Sequence, residues 1–424
     1  MKQPIPAHLD PCDHDTEADR PLRLPQARER ILAGIRPVAG IETVGLRSAL
    51  GRVLCRDVRS TIDVPAHTNS AMDGYALAGE HLPHDGETNY AVVGTAWAGR
   101  PFAGTVGAGE CVRIMTGAPL PAGTDTVVMQ EHVRVEGERV AMTAGHRPGQ
   151  HVRPAGEDIR AGDVALAAGT LLHPAHLGLL ASLGLPEIPV YRRPRVAFFS
   201  TGDELRSIGE TLALGQIYDS NRYTLHGMLT RAGVEAFDMG VVRDRRDDTE
   251  RAFQEAAACA DAIVTSGGVS VGEADFVTET LAKLGSVDFW KVAMKPGKPI
   301  AFGRIGPAWF FGLPGNPVSV MATFYQLVRP ALHALMGITR PDPPILVKAT
   351  CQSKLRKKPG RLEFQRGVLE IDAGGAYRVS SVGHQGAGVL QSMTQANCFI
   401  VLPSELDTVM PGTEVEVQPF AGLV

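Results

Sequence analysis

Aromatic residues are scarce in this 424-residue chain, 6% of it with three tryptophans. Its cores must therefore be built from Val, Leu, Ile and Ala. Long apolar runs are missing too. The longest candidate, 164–190, is broken by His173, Pro174, His176 and Pro186, which excludes a membrane-spanning helix of ~20 apolar residues. Six cysteines are scattered with no CxxC or paired spacing. That excludes a disulfide framework and a thiolate zinc site, and it points to the reducing cytoplasm. None of the 13 histidines has ligand spacing with an acid, so a histidine–zinc enzyme is set aside. Charge of one sign is lacking as well: 42 basic against 46 acidic residues leave a net −4, with no global attraction for nucleic acid or an anionic membrane. The most basic run, 354–366, offers only Phe364 as a stacking platform, which argues against nucleic-acid binding. The polar N-terminus has no apolar core of a signal peptide and reads as a flexible leader over 1–23.

What is plentiful is glycine and proline, 47 and 30 residues, well above the average near 12% for the two together. The excess is not periodic and sits among apolar runs, so it marks tight loops rather than collagen or disorder. The length predicts several domains. Residues 24–37 carry a short helical pattern (Ala27, Ile31, Leu32, Ile35). From 57 to 150 the pattern becomes strands and Gly-rich turns, including a hairpin with Val133, Val135, Val140 and Met142 around Gly137. Residues 164–184 read as helical again, opened by His173-Pro174 and ended by Gly184. This order predicts a discontinuous linking domain, 24–56 with 151–192, around a β-rich insertion domain, 57–150. Over 193–340, continuous apolar strands alternate with amphipathic helices, predicting a βαβ domain with a parallel sheet buried on both faces. After the proline-rich linker 338–344, short strands predict a small β-barrel-like domain, 341–424. The fold class is α/β multidomain.

In an open parallel sheet, ligands bind beyond the carboxyl ends of the strands. Those ends read Thr201-Gly202-Asp203-Glu204, Arg243-Asp244, Ser266 to Asp275 and Leu313 to Pro317. Gly202, Gly267, Gly268 and Gly315 with Ser266 and Ser270 can present backbone N–H groups to an oxyanion. Glu204, Asp244 and Asp275 can share a divalent cation with it. Taken singly, Asp275 is equally an N-cap, and Asn316-Pro317 an ordinary helix start. Together they predict a ligand site on this rim. Lys291, Lys295 and Lys298 lie beside it in sequence, and Arg366 follows in the barrel segment. Each alone could serve solubility; next to an anion nest they can neutralise a tetrahedral dianion. Asp73 and Thr116, in NSAMDGYA and RIMTGAP, and Asp158 in RPAGED stand apart in the insertion region, where turn and site are equally good readings.

Ten motifs in order resemble the MoeA family of molybdopterin molybdenumtransferases, to which the gephyrin E-domain also belongs. They are NSAMDGYA, RIMTGAP, GED, FSTGDEL, GQIYDSNR, SGGVSVGEAD, KPGKP, GLPGNPVS, PGRLEFQRG and GHQG, spread from residue 69 to 386. The resemblance implies a homodimer whose composite active site joins the βαβ domain of one subunit to the insertion of the other. It implies that molybdate and adenylylated molybdopterin are the substrates, with release of AMP and assistance from Mg²⁺. The family's essential acids fall on Asp73, Asp158, Glu204, Asp244 and Asp275, and Thr116 joins Asp73. Asp244 and Asp275 are assigned to Mg²⁺ and the nucleotide. Glu204, a further candidate metal ligand, is assigned with Asp73 to water or the molybdopterin end. Lys291, Lys295, Lys298 and Arg366 are assigned to oxyanion, and Pro314 and Pro317 shape the nest. Relatives carry serine after GHQG where this chain has Ala387, so a hydroxyl contact to the oxyanion is lost or replaced by backbone N–H. The adenylyltransferase is expected to hand over the substrate. Two rival readings are adenylyl transfer to molybdopterin, the preceding step, and a non-catalytic scaffold.

Overall fold

The computed structural model describes residues 21–267 and 275–420, with side chains throughout except at 275–279. The chain forms two compact units: one holds residues up to 42, 51–55 and 190 onward, the other 43–50 and 56–189. Helix α1 (Leu24–Gly34) belongs to the first, with proline in its opening turn and Leu24, Ala27 and Ile31 along its buried face.

In the second unit, strands β1 (Gly74–Leu77), β2 (Glu87–Ala96), β3 (Glu110–Ile114), β4 (Thr126–Met129), β5 (Val133–Glu136) and β6 (Arg139–Thr143) form one sheet. Their order is β4-β1-β3-β2-β6-β5, and only β2 and β3 run parallel. The predicted hairpin is β5–β6, with Val135 opposite Val140. Successive strand residues face opposite ways. Tyr75, Leu77, Cys111 and Val128 therefore enter one core, and Ala76, Val112 and Val127 another. Burial pushes the Cys111 thiol up to about 12, which makes it packing material rather than a nucleophile. Helix α2 (Pro174–Ser182) starts at His173-Pro174 as predicted. Residues 164–166 do not join it: they form a short strand against Val58 and Arg59, and Gly169 at φ 79° turns the chain before the helix begins.

The first unit is built on a second six-stranded sheet. Its elements are β7 (Arg195–Thr201), α3 (Ser220–Arg231), β8 (Glu235–Val242), α4 (Arg246–Cys259), β9 (Ala262–Ser266), α5 (Asp275–Leu284), β10 (Gly285–Lys291), β11 (Pro299–Ile305), β12 (Ala308–Leu313), α6 (Pro317–Thr323) and α7 (Arg329–Leu335). A π-helical turn, 324–328, joins α6 to α7. The strand order is β8-β7-β9-β12-β11-β10. Strands β8, β7, β9 and β12 are parallel, as the βαβ pattern requires. Strand β11 runs antiparallel to both neighbours, so the sheet is mixed at that end. Helix α4 buries Ala252, Phe253, Ala256 and Ala257 against the sheet. Phe253 meets Phe199 and Phe310 edge-on at 5.3 and 5.4 Å, a burial worth on the order of 2–3 kcal/mol.

Strands β13 (Val347–Cys351), β14 (Leu362–Ile371), β15 (Tyr377–Ser381), β16 (Cys398–Leu402) and β17 (Glu414–Pro419) follow in the order β14-β15-β13-β17-β16. Strand β16 pairs back onto β14. The result is a closed five-stranded barrel around Ala349, Cys351, Val379, Ile400 and Val417, and closure removes the exposed edges. Two links tie barrel to sheet. Residues 294–295 add to β14, with Lys295 opposite Glu363. The buried Gln326 amide donates to Gln418 Oε1 at 2.9 Å and accepts from Arg28 Nη2 at 3.2 Å.

Candidate functional site

In register, Ser200 lies beside Ser266, and Ser266 beside Leu313. Strands β7, β9 and β12 therefore end level, and Gly202, Gly267 and Pro314 leave the same edge of the sheet. They line a cleft of about 1420 Å³ closed on its other sides by 294–299 and 385–388. Glycine is required at its floor: Gly267 has φ 87°, and a Cβ there would lie 2.6 Å from the Thr201 carbonyl oxygen. Gly297 in KPGKP is fixed the same way, with φ 102° and a Cβ position 2.4 Å from Thr323 Oγ1. Gly202, Ser266, Pro314, Gly315, Asn316 and Pro317 all line the cleft. Gly268 and Ser270 lie outside the described residues.

Of the acids, Glu204 and Asp244 line the cleft. The Glu204 carboxylate folds over Gly202, where a Cβ would sit 2.5 Å from Oε2. The Asp244 amide donates to Asp203 Oδ1 at 3.3 Å. Asp275 is the first residue of α5, and its side chain is outside the described set. Among the described residues no three His, Cys, Asp or Glu side chains are grouped to hold a metal ion.

Of the cations, Lys295 and Lys298 line the cleft. Lys295 Nζ donates to both carboxylate oxygens of Glu363 at 3.3 Å. Glu363, its side chain 4% exposed, also accepts from Gln365 Nε2 at 3.1 Å. Lys291 ends β10 opposite Pro299 and is not part of the cleft lining. Arg366 corrects an expectation. It is 1% exposed and turned into the protein, where Nε donates to Ser392 Oγ and Nη2 to the carbonyls of His384 and Gly386. Burial lowers its pKa to about 10. It holds the 384–386 loop; the arginine that lines the cleft is Arg361. Ala387 also lines it, and its carbonyl accepts the Val318 amide at 3.0 Å.

Asp73, Thr116 and Asp158 lie in the other unit. Asp73 immediately precedes β1 and Thr116 follows β3, and Gly74 pairs with Ile114 across the two strands. The two residues therefore meet: Thr116 donates its amide at 2.7 Å and its hydroxyl at 2.8 Å to Asp73 Oδ1. These bonds, the amide first, hold the Asp73 pKa below the usual carboxylate value. Asp158 lines a separate shallow pocket with Asn69, Arg153 and Glu157.

The residues assigned from the sequence leave out Arg361, Glu363, Gln365, Asp219 and Asn221, and Thr201 is named there only as a strand end. One signal was available: Glu363, Gln365 and Arg366 cluster among the apolar positions of the barrel strand, and polar groups carried into a core ask for partners.

Residues 22–184 match the model of the MoeA N-terminal region (domain I and II), 197–334 the model described as "Probable molybdopterin binding domain", and 348–420 that of the MoeA C-terminal region (domain IV). The molybdopterin molybdenumtransferase of Haemophilus influenzae is 44% identical over 404 residues, covering 95% of this chain and 100% of that protein. A Nostoc protein of the same name is 38% identical, over 89% of this chain and 88% of its own. The crystal structure of the molybdopterin biosynthesis moeA protein from Pyrococcus horikoshii superposes with a TM-score of 0.82 at 28% identity, covering 94% of this chain and 100% of that one. With three models in order along the sequence and relatives matched from end to end, the chain belongs to the MoeA family.

Proposed function

We propose that this protein transfers molybdenum from molybdate into adenylylated molybdopterin, releasing AMP. The observation that carries the reading is the cleft itself: level strand ends with glycines and an LPGNP loop, lined by the cations Lys295, Lys298 and Arg361 and by the acids Glu204 and Asp244. Molybdate and phosphate are both tetrahedral oxyanions, and preorganised cations with backbone N–H groups can hold them together. Lys295 reaches into the cleft from a fixed point because Glu363 holds its ammonium. Arg366 acts one layer back, fixing the loop that carries Gly386, Ala387 and Gly388. The names of the 44% and 38% identical relatives support metal insertion over the preceding adenylyl transfer.

Mg²⁺ fits this donor set. Glu204 and Asp244 are hard oxygen donors on the rim, and Mg²⁺ is usually held by one or two carboxylates plus substrate phosphate. When bound, it supplies Lewis-acid polarisation of the phosphoryl group. Asp275, at the start of α5, is the further ligand in this reading. Asp73, Thr116 and Asp158 complete the site from the partner subunit of a homodimer, and the adenylyltransferase delivers the substrate.

Purified protein mixed with adenylylated molybdopterin, molybdate and Mg²⁺ should release AMP together with molybdenum incorporation. Release that ignores molybdate, or no release, refutes insertion. Asp244→Asn should slow the reaction roughly 10- to 100-fold, the worth of a charge-assisted contact of ~1.5–3 kcal/mol.

A further inference from the structure

Three buried polar side chains of the cleft take no part in the function proposed. Where α3 begins, Asp219 and Asn221 line the cleft, and Thr201 lines it at the end of β7. All three are at least nine-tenths buried: Asp219 is 2% exposed, Thr201 7% and Asn221 9%. Each keeps one polar atom without a protein partner, namely Asp219 Oδ2, Asn221 Oδ1 and Thr201 Oγ1. The rest of each group is committed. Asp219 Oδ1 caps α3 by accepting the Arg222 amide at 3.1 Å. Asn221 Nδ2 donates to the Gly315 carbonyl at 2.7 Å, which ties α3 to the LPGNP loop. The adjacent Arg222 directs its guanidinium to Asp238 and Ser207 and so does not neutralise Asp219. Buried polar atoms left unpaired are costly, and each asks for a partner.

Their chemistry defines that partner. A carboxylate oxygen and an amide oxygen only accept, and a hydroxyl does either. An oxyanion would meet acceptors and a negative charge here, so the phosphate and molybdate belong with Lys295, Lys298 and Arg361. We propose that Asp219 Oδ2, Asn221 Oδ1 and Thr201 Oγ1 form a recognition subsite for a pair of neighbouring hydrogen-bond donors on the substrate. The proposal rests on the cleft being the site for adenylylated molybdopterin. That molecule offers two such pairs: the vicinal hydroxyls of its ribose and the amino–lactam edge of its pterin.

Calorimetric titration of the full-length protein with AMP and, separately, with 6-carboxypterin tests this. Asp219→Asn keeps the cap, since Asn caps helices as well as Asp, but removes the charged acceptor. It should weaken one of the two probes by roughly tenfold or more and leave the other within about threefold. Loss of AMP assigns the ribose; loss of the pterin assigns the pterin edge. Thr201→Val, which removes a hydroxyl at constant volume, should weaken the same probe. The proposal is overturned if Asp219→Asn binds both probes like the wild type, if it loses both equally, or if the wild type binds neither. Molybdate-dependent AMP release by the wild type, alongside an unaffected Asp219→Asn, would sink the subsite and leave insertion standing. Absent AMP release with a selective Asp219→Asn loss would do the reverse.

Discussion

Lys295, proposed to bind the oxyanion, is also tied to stability through Glu363. The Glu363 side chain is 4% exposed and that of Lys295 46%, so the carboxylate is the member that depends on the pair. Removing the lysine strands a buried charge, which costs more than the pair itself contributes. Lys295→Met should therefore lose activity and also roughly 1–3 kcal/mol of stability, the scale of a buried charge left with one remaining amide donor. Adding Glu363→Gln to it should restore the denaturation midpoint, because Gln needs no cation, while the activity stays lost. Equal midpoints for the single and double variants would show that the carboxylate is satisfied without Lys295, and its positioning role would fall with that result.

The helical run from α6 through the π-turn to α7 packs against both α1 and the barrel, and it carries a titratable group inside. His333 on α7 has its pKa lowered from 6.5 to about 4, first by burial, then by the Arg329 cation, with Asp342 opposing. The unfolded chain therefore binds more protons between those two values. The stability contribution is complete above pH 6.5 and declines as pH falls toward 4, by up to roughly 3 kcal/mol. Urea midpoints of wild type and His333→Gln should diverge in pH dependence over this window, the variant losing less stability on acidification. Parallel curves would show that His333 titrates normally in the fold. Elements of this kind were only partly legible in the sequence. Strands β7 and β9 announce themselves as continuous apolar runs closed by Thr-Gly and Ser-Gly, and α6 by Asn316-Pro317. Strand β11 does not, because Pro299 opens it directly from the KPGKP loop and Gly303 interrupts its apolar pattern. Arg366 was legible as a cation beside an anion loop, but its inward direction depends on closure of the barrel, where it pairs with Phe399. Asp219 and Asn221 sit in a segment read only as a motif, because burial of one carboxylate oxygen has no sequence signature.

At the scale of the whole molecule, the proposed site needs groups from both units: Asp244 from one, and the Asp73–Thr116 pair from the other. Whether they meet within one subunit or across two is decided by complementation. Asp73→Asn and Asp244→Asn are each expected to cut AMP release by the proposed homodimer roughly 10- to 100-fold. In a mixed dimer with a composite site, the Asp73→Asn subunit keeps its own Asp244, and its partner supplies an intact Asp73, so one of the two sites is complete. The other site carries both lesions. Random reassortment of equal amounts makes half the dimers mixed, each half active, for about a quarter of the wild-type rate of AMP release. Within-subunit sites predict only the residual rate of the parent variants, since every site then carries one lesion. Co-expression with two affinity tags isolates the mixed dimer directly, and its expected rate is about half that of wild type. A mixed dimer as inactive as its parents would place the catalytic acids within one chain and overturn the composite arrangement.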